Sequence, residues 1–132
     1  MVVCKYDGDV TTREVGTNGV INGRFVTNDT GDTVKLAGAG DQVVGVANGG
    51  KVNNHDGTAA DPYQAGDSIA IRHRGIVVVE AGANGVVMGD LVKAAANGKA
   101  QPFDPANDTV DLIAGRAMTS GNSGDDVEVL LI

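Results

Sequence analysis

The sequence predicts an all-β fold: a small β-barrel or β-sandwich-like domain with weak internal duplication and little helix. Three observations carry this. Turn dipeptides are dense, with Asn-Gly at Asn18-Gly19, Asn22-Gly23, Asn48-Gly49, Asn84-Gly85 and Asn97-Gly98, and both residues tolerate the positive φ of a tight hairpin turn. The segments between the turns are short and rich in Val and Ile, which suit a pleated, half-buried surface. A sustained i, i+3, i+4, i+7 apolar pattern is found nowhere.

The elements follow in chain order. Residues 1–15 mix charged Lys5, Asp7, Asp9, Arg13 and Glu14 with Val2, Val3, Tyr6 and Val10, too polar a mixture for a core of its own. The expectation is an N-terminal arm that pairs in extended form with a neighbouring molecule, with an ordinary first strand as the alternative. Residues 16–132 are read as a single β domain. Its strand segments are Arg24–Asn28, Thr33–Ala37, Gln42–Ala47, Ser68–Arg72, Gly75–Glu80, Leu91–Ala95, Thr109–Met118 and Asp126–Ile132. Ile76–Val79 is continuously apolar, so it is expected to lie centrally, covered on both faces. Lys93–Ala96 is long enough for one helical turn, ended by Gly98. The apolar end Leu130-Leu131-Ile132 is expected to be paired into a sheet.

The chain resembles itself. Val44-Gly45-Val46-Ala47 is matched by Ala114-Gly115-Arg116-Ala117, and Ala65–Ile71 by Ser123–Val129. Phe25-Val26 precedes the first copy as Leu91-Val92 precedes the second. The first copy is longer through residues 51–64, a polar stretch that reads as a loop inserted into a β framework.

Composition narrows the function. The 132 residues suffice for one domain that folds without metals or disulfides, and the lone Cys4 permits no intrachain disulfide. Only 3% of residues are aromatic and none is Trp, so the core is thin and association is expected to contribute to stability. The net charge of −7 argues against nucleic acid and against an anionic membrane, both of which need clustered Lys and Arg. The N-terminus lacks the apolar stretch of a signal peptide, and no run approaches transmembrane length.

Candidate chemistry is sparse. Asp29-Thr30-Gly31 matches an aspartic-protease triplet, but Asn28 and Asp32 flank it with turn-forming residues, and a catalytic pair needs a second facing carboxylate. His55, Asp56 and Asp61 carry metal-binding atoms inside the polar insert, and Asp7-Gly8-Asp9 hints at calcium without a full ligand set. Arg72-His73-Arg74 is the one basic cluster; in a strand its two arginines share a face, open to a phosphate or acidic protein. The Gly-rich stretches lack the Lys-Ser/Thr of a phosphate loop. No cofactor and no metal is therefore expected.

The order of blocks resembles the phage capsid-cement, or head-decoration, family, once known as a domain of unknown function. The blocks are Tyr6–Val10, Gly23–Val26, Val44–Ala47, Ala65–Ile71, Gly75–Glu80, Gly89–Val92, Asn97–Lys99, Ile113–Ala117 and Gly124–Leu130. Residues 51–64 and 101–108 look longer than is usual there, and Arg116 replaces a small or aliphatic residue. The resemblance implies a β-barrel-like fold, a virion location on the outer capsid surface after assembly in the host cytoplasm, and no catalysis. It implies two partners: the major capsid protein and further copies of the chain, as a homotrimer. Val2, Val3, Tyr6, Val10 and Arg13 are the expected capsid-contact residues. A glycan-binding β-barrel on a virion surface and a small acid protease are the rivals.

Overall fold

The computed structural model describes residues 9–16, 18–48 and 62–132. Its ten strands are β1 (Val10–Val15), β2 (Phe25–Asn28), β3 (Thr33–Leu36), β4 (Gly45–Ala47), β5 (Ser68–Arg72), β6 (Gly75–Glu80), β7 (Leu91–Ala94), β8 (Ala100–Pro102), β9 (Gly115–Ala117) and β10 (Asp126–Leu131). Among the described residues, helix is confined to two single 3-10 turns, Ala96–Gly98 and Val110–Leu112. The all-β expectation therefore holds. Strands β1-β3-β2-β4-β5 close into a barrel, and β6-β10-β9-β7-β8 form a second five-stranded sheet.

The two sheets are copies of one design. In the first half β2 pairs antiparallel with β3 and with β4, β4 with β5, and β5 with β1. In the second, β7 pairs with β8 and with β9, β9 with β10, and β10 with β6. The parallel β1–β3 contact that closes the barrel is reduced in the second half to one parallel rung, Ala81↔Ala100. Loop hydrogen bonds repeat as well. Val15 N donates to Asp67 O as Ala81 N donates to Asp125 O, and Gly23 N donates to Ala47 O as Gly89 N donates to Ala117 O. The weak repeat legible in the sequence is thus a structural duplication.

The glycine shared by the two copies has a steric cause. A Cβ on Gly45 would lie 2.6 Å from both Arg72 O and Ile71 Cγ2, and one on Gly115 would lie 2.7 Å from Val129 Cγ1. The short strands β4 and β9 cross their neighbours too closely for any side chain.

Each half has its own core, built at matching positions. Val15, Val20, Val26, Val34, Ala47, Ile69 and Ile71 fill the first; Ala81, Val86, Val92, Ala100, Ala117, Val127 and Val129 fill the second. The side chains in the second are smaller. It makes up volume by adding Val77 and Val79 and by borrowing Phe25, Ala37 and Val46 from the first half. Successive strand residues point to opposite faces. Val26 and Ala47 therefore face the barrel interior, while Phe25 and Val46 leave its outside to cover the neighbouring half.

Three expectations need correction. Ile76–Val79 is not covered on both faces. β6 ends its sheet rather than lying centrally, and Val77 and Val79 are buried while Ile76 and Val78 are about half exposed, because no described element covers the outer face that they share with Leu130. The segment 109–118 is not one strand. Asp111 accepts hydrogen bonds from the Thr109 hydroxyl and the Gln42 amide, which holds a 3-10 turn, and only Gly115–Ala117 is extended. Lys93 lies in β7 rather than in a helical turn. The turn falls later, where Asn97 and Gly98 both take positive φ (60° and 72°), the backbone an Asn-Gly pair tolerates.

Candidate interaction surface

Among the described residues, those singled out for chemistry are not assembled into a reactive site. Asp29-Thr30-Gly31 forms the β2–β3 turn: Asp29 Oδ1 accepts from Thr30 N, and Asp29 N donates to Thr33 O. An acid protease would need a facing carboxylate from the related half. The duplication places Ala95, Ala96 and Asn97 there, none of them acidic. His55, Asp56, Asp61, Asp7 and Gly8 lie outside the described residues, and among the described residues no three His, Cys, Asp or Glu side chains group around one point. No described helix is long and apolar enough to cross a membrane.

The basic cluster is split by strand geometry. Arg72 ends β5 at the mouth of a cleft, and Arg74 is solvent-exposed beside Asp9 at 3.9 Å. His73 is structural: Nδ1 donates to Val44 O (2.7 Å) and Nε2 meets the Thr11 hydroxyl (2.5 Å), tying β1 to the segment before β4.

Of the expected contact residues, Val2, Val3 and Tyr6 lie outside the described residues. Val10 and Arg13 are in β1, which pairs with β5 from Val10↔Arg72 to Glu14↔Ser68 and with β3 at Glu14 and Val15. Residues 10–15 are therefore part of the barrel wall, and an arm can comprise only what precedes them. Val10 is exposed, and Arg13 reaches across to Asp32 O (2.9 Å) and Asn28 Oδ1 (3.1 Å).

Among the surface clefts, two lie beside the first strands of the two halves, β6 and β1. The cleft of the second half, about 720 Å³, runs along the free edge of β6 and is bordered by Ile21–Arg24, Val46–Asn48 and Arg72. Met118 N donates to Glu128 O, so the odd residues of β10 pair with Gly75, Val77 and Val79. The peptide groups of Ile76, Val78 and Glu80 consequently point into the cleft. The first-half loop enters it: Glu80 N donates to Gly23 O (3.2 Å). Arg24 (3.4 Å) and Lys99 (2.9 Å) bind the Glu80 carboxylate, and Arg24 also donates to Asn97 O. The Lys99 hydrogen bond, ahead of the charge of Arg24, holds the Glu80 carboxyl below its ordinary value. The corresponding cleft of the first half, about 670 Å³, is bordered by Thr11–Glu14, Asn28, Gly31, Asp32 and His73.

Among the described residues, exposed apolar side chains include two groups, apart from Val10, Val110, Met118 and Ile132. Ile76, Val78 and Leu130 form a patch on the outer face of β6 and β10, where Leu130 lies opposite Ile76. Val87 and Met88, about two-thirds exposed, crown the loop before β7. Sequence reasoning missed both, because each interrupts an alternation or sits in a turn. The aromatics are elsewhere: Phe25 and Tyr63 are buried and Phe103 is half-buried, so the described residues present no sugar-stacking platform.

Residues 6–132 match a family model described as structural cement protein (E217 gp24/Pam3 gp6). The fold is similar to that in the crystal structure of the head fiber gp8.5 N base in bacteriophage phi29, with a TM-score of 0.60 at 17% sequence identity, over 93% of this chain and 92% of that one. No curated protein matches.

Proposed function

Because the chain belongs to the structural cement protein family of phages, we propose that it binds the outer surface of a phage-like capsid and stabilises the shell without catalysing a reaction. The supporting observation is the family match across nearly the whole chain, residues 6–132. The mechanism is interface area added across boundaries between major-capsid subunits, which favours the assembled state by mass action. Self-association, as a homotrimer, belongs to the same reading, as does assembly in the host cytoplasm.

The contact surface would have two parts. The apolar patch of Ile76, Val78 and Leu130 supplies burial. Val2, Val3 and Tyr6, ahead of β1, would supply an arm, and Val10 and Arg13 would meet the capsid from the barrel wall. Co-sedimentation of the purified protein with undecorated capsids tests the reading. Saturable binding that raises the capsid's melting temperature is expected, and absence of binding at micromolar protein overturns it. Neither rival keeps a feature of its own. Among the described residues, the glycan reading finds no exposed aromatic, and the protease reading finds no second carboxylate at the matching place of the related half.

A further inference from the structure

Asparagine followed by glycine is a chemically labile pair. The glycine amide nitrogen can close on the asparagine side-chain carbonyl, because glycine has no Cβ to obstruct the approach. In a folded chain the attacking N–H must also be free to turn toward Cγ, so local hydrogen bonding decides which pairs react.

Of the five Asn-Gly pairs, four lie within the described residues, and Asn48-Gly49 ends outside them. Three of the four are restrained at the attacking atom. Gly23 N donates to Ala47 O (2.9 Å), Gly85 N to Gly82 O (3.0 Å), and Gly98 N to Ala37 O (2.8 Å) and Ala95 O (3.2 Å). Gly85 and Gly98 are buried as well. Gly19 N, by contrast, donates to no acceptor among the described residues, and it is only half-buried.

The duplication supplies the contrast within one molecule. Asn18-Gly19-Val20 occupies the place of Asn84-Gly85-Val86, and each ends in an isolated bridge, Val20↔Tyr63 and Val86↔Gly121. Gly16 N bonds Val34 O ahead of the first as Gly82 N bonds Ala100 O ahead of the second. Yet the turn bond from Gly85 N to Gly82 O has no counterpart from Gly19 N to Gly16 O. Exposure of the asparagine does not separate the two sites, since Asn18 and Asn84 are both exposed. The state of the glycine amide does.

We propose that Asn18 is a site of spontaneous covalent modification in the folded protein, and that Asn22, Asn84 and Asn97 are protected. The Gly19 amide gives its proton to a base in solvent, its nitrogen forms a bond to Asn18 Cγ, and the Cγ–Nδ2 bond breaks with release of ammonia. Water then opens the cyclic imide. Cleavage between Cγ and nitrogen leaves aspartate; cleavage between the Asn18 main-chain carbonyl carbon and nitrogen leaves an isoaspartyl link, with the main chain routed through Cγ. Nothing is oxidised or reduced, and water is the only co-reactant. Either product places a new carboxylate on the border of a hollow of about 560 Å³ that Asn18 shares with Lys35 and Asp41. The reaction runs with time alone, so the converted fraction records the age of the molecule. The inference does not depend on capsid binding.

Ageing of the purified full-length protein tests it. The protein is held in mildly alkaline buffer made with heavy-oxygen water, sampled over weeks, digested and read by peptide mass mapping. A parallel sample in guanidinium chloride gives the rates of the same four pairs without a fold. In the folded sample the Asn18 peptide should convert at least tenfold faster than those of Asn22, Asn84 and Asn97, with uptake of heavy oxygen. In denaturant the three protected pairs should catch up with Asn18. Conversion of any of the three at the Asn18 rate in the folded protein overturns the proposal. So does a folded-state rate at Asn18 tenfold or more below its rate in denaturant, which would mean that the fold protects this pair too.

Discussion

At the scale of single residues, the most constrained positions are those where two backbones cross. Gly45 passes within van der Waals distance of the Arg72 carbonyl, so Gly45→Ala must push β4 off β5. The expected loss is roughly 2 kcal/mol, the range of an overpacked core site, measured by chemical denaturation. The same substitution at Gly40, where a Cβ meets nothing, should be close to neutral. Charge sets a second expectation. The carboxyls of Glu80, Asp104, Asp108 and Asp111 are all held below their ordinary values, Asp108 first by the Lys93 ammonium at 2.5 Å and Asp104 first by the Asn107 amide. A carboxyl lowered on folding stabilises the fold above its unfolded value and loses that contribution as pH falls through the folded value. The melting temperature should therefore fall as pH drops below about 4.5, the ordinary glutamate value. Glu80→Gln should make that fall shallower, and an unchanged slope would remove Glu80 from the account. The glycines were legible in the sequence as turn and bulge residues. That Gly45 and Gly115 serve close strand crossings was not, because a crossing depends on partners distant in sequence.

At the scale of elements, β1 is the strand whose reading matters most. Local composition favoured an arm over residues 1–15, since polar Thr11, Thr12, Arg13 and Glu14 resemble no core strand. The structure pairs Val10–Val15 on both edges, with β5 along its length and with β3 at its end. Pairing satisfies backbone groups irrespective of side-chain polarity, and this tertiary term outweighed the composition. Two truncations separate the parts. Removing residues 1–8 spares every rung of β1 and should leave the melting temperature unchanged. Removing residues 1–15 opens the barrel and exposes Val34, Ile69 and Ile71, so the protein should fail to fold, as one-dimensional proton spectra would report. The reverse error was made at β6, where a run of apolar residues implied burial on both faces. A continuous run cannot show whether a second layer covers the outer face, and among the described residues none covers Ile76, Val78 and Leu130.

At the scale of the molecule, fold class and duplication were readable because both are written in spacing: turn dipeptides, and motifs that recur in order. The docking of the two halves was not, because Phe25 and Val46 look like ordinary strand residues until both faces of β2 and β4 are seen to be occupied. Phe25→Ala should therefore cost about 4 kcal/mol, as for a large buried aromatic, and should lower a single shared calorimetric transition rather than split it in two. Two separate transitions would mean that the halves fold independently. The shared core has a mechanical consequence. Bending one half against the other would draw Phe25, Ala37 and Val46 away from Val77 and Val79 and admit water to the second core, so the junction has no cheap hinge. The molecule should behave as a stiff strut. A load applied at one half reaches the other as displacement of the whole body, before any flexing between them absorbs it.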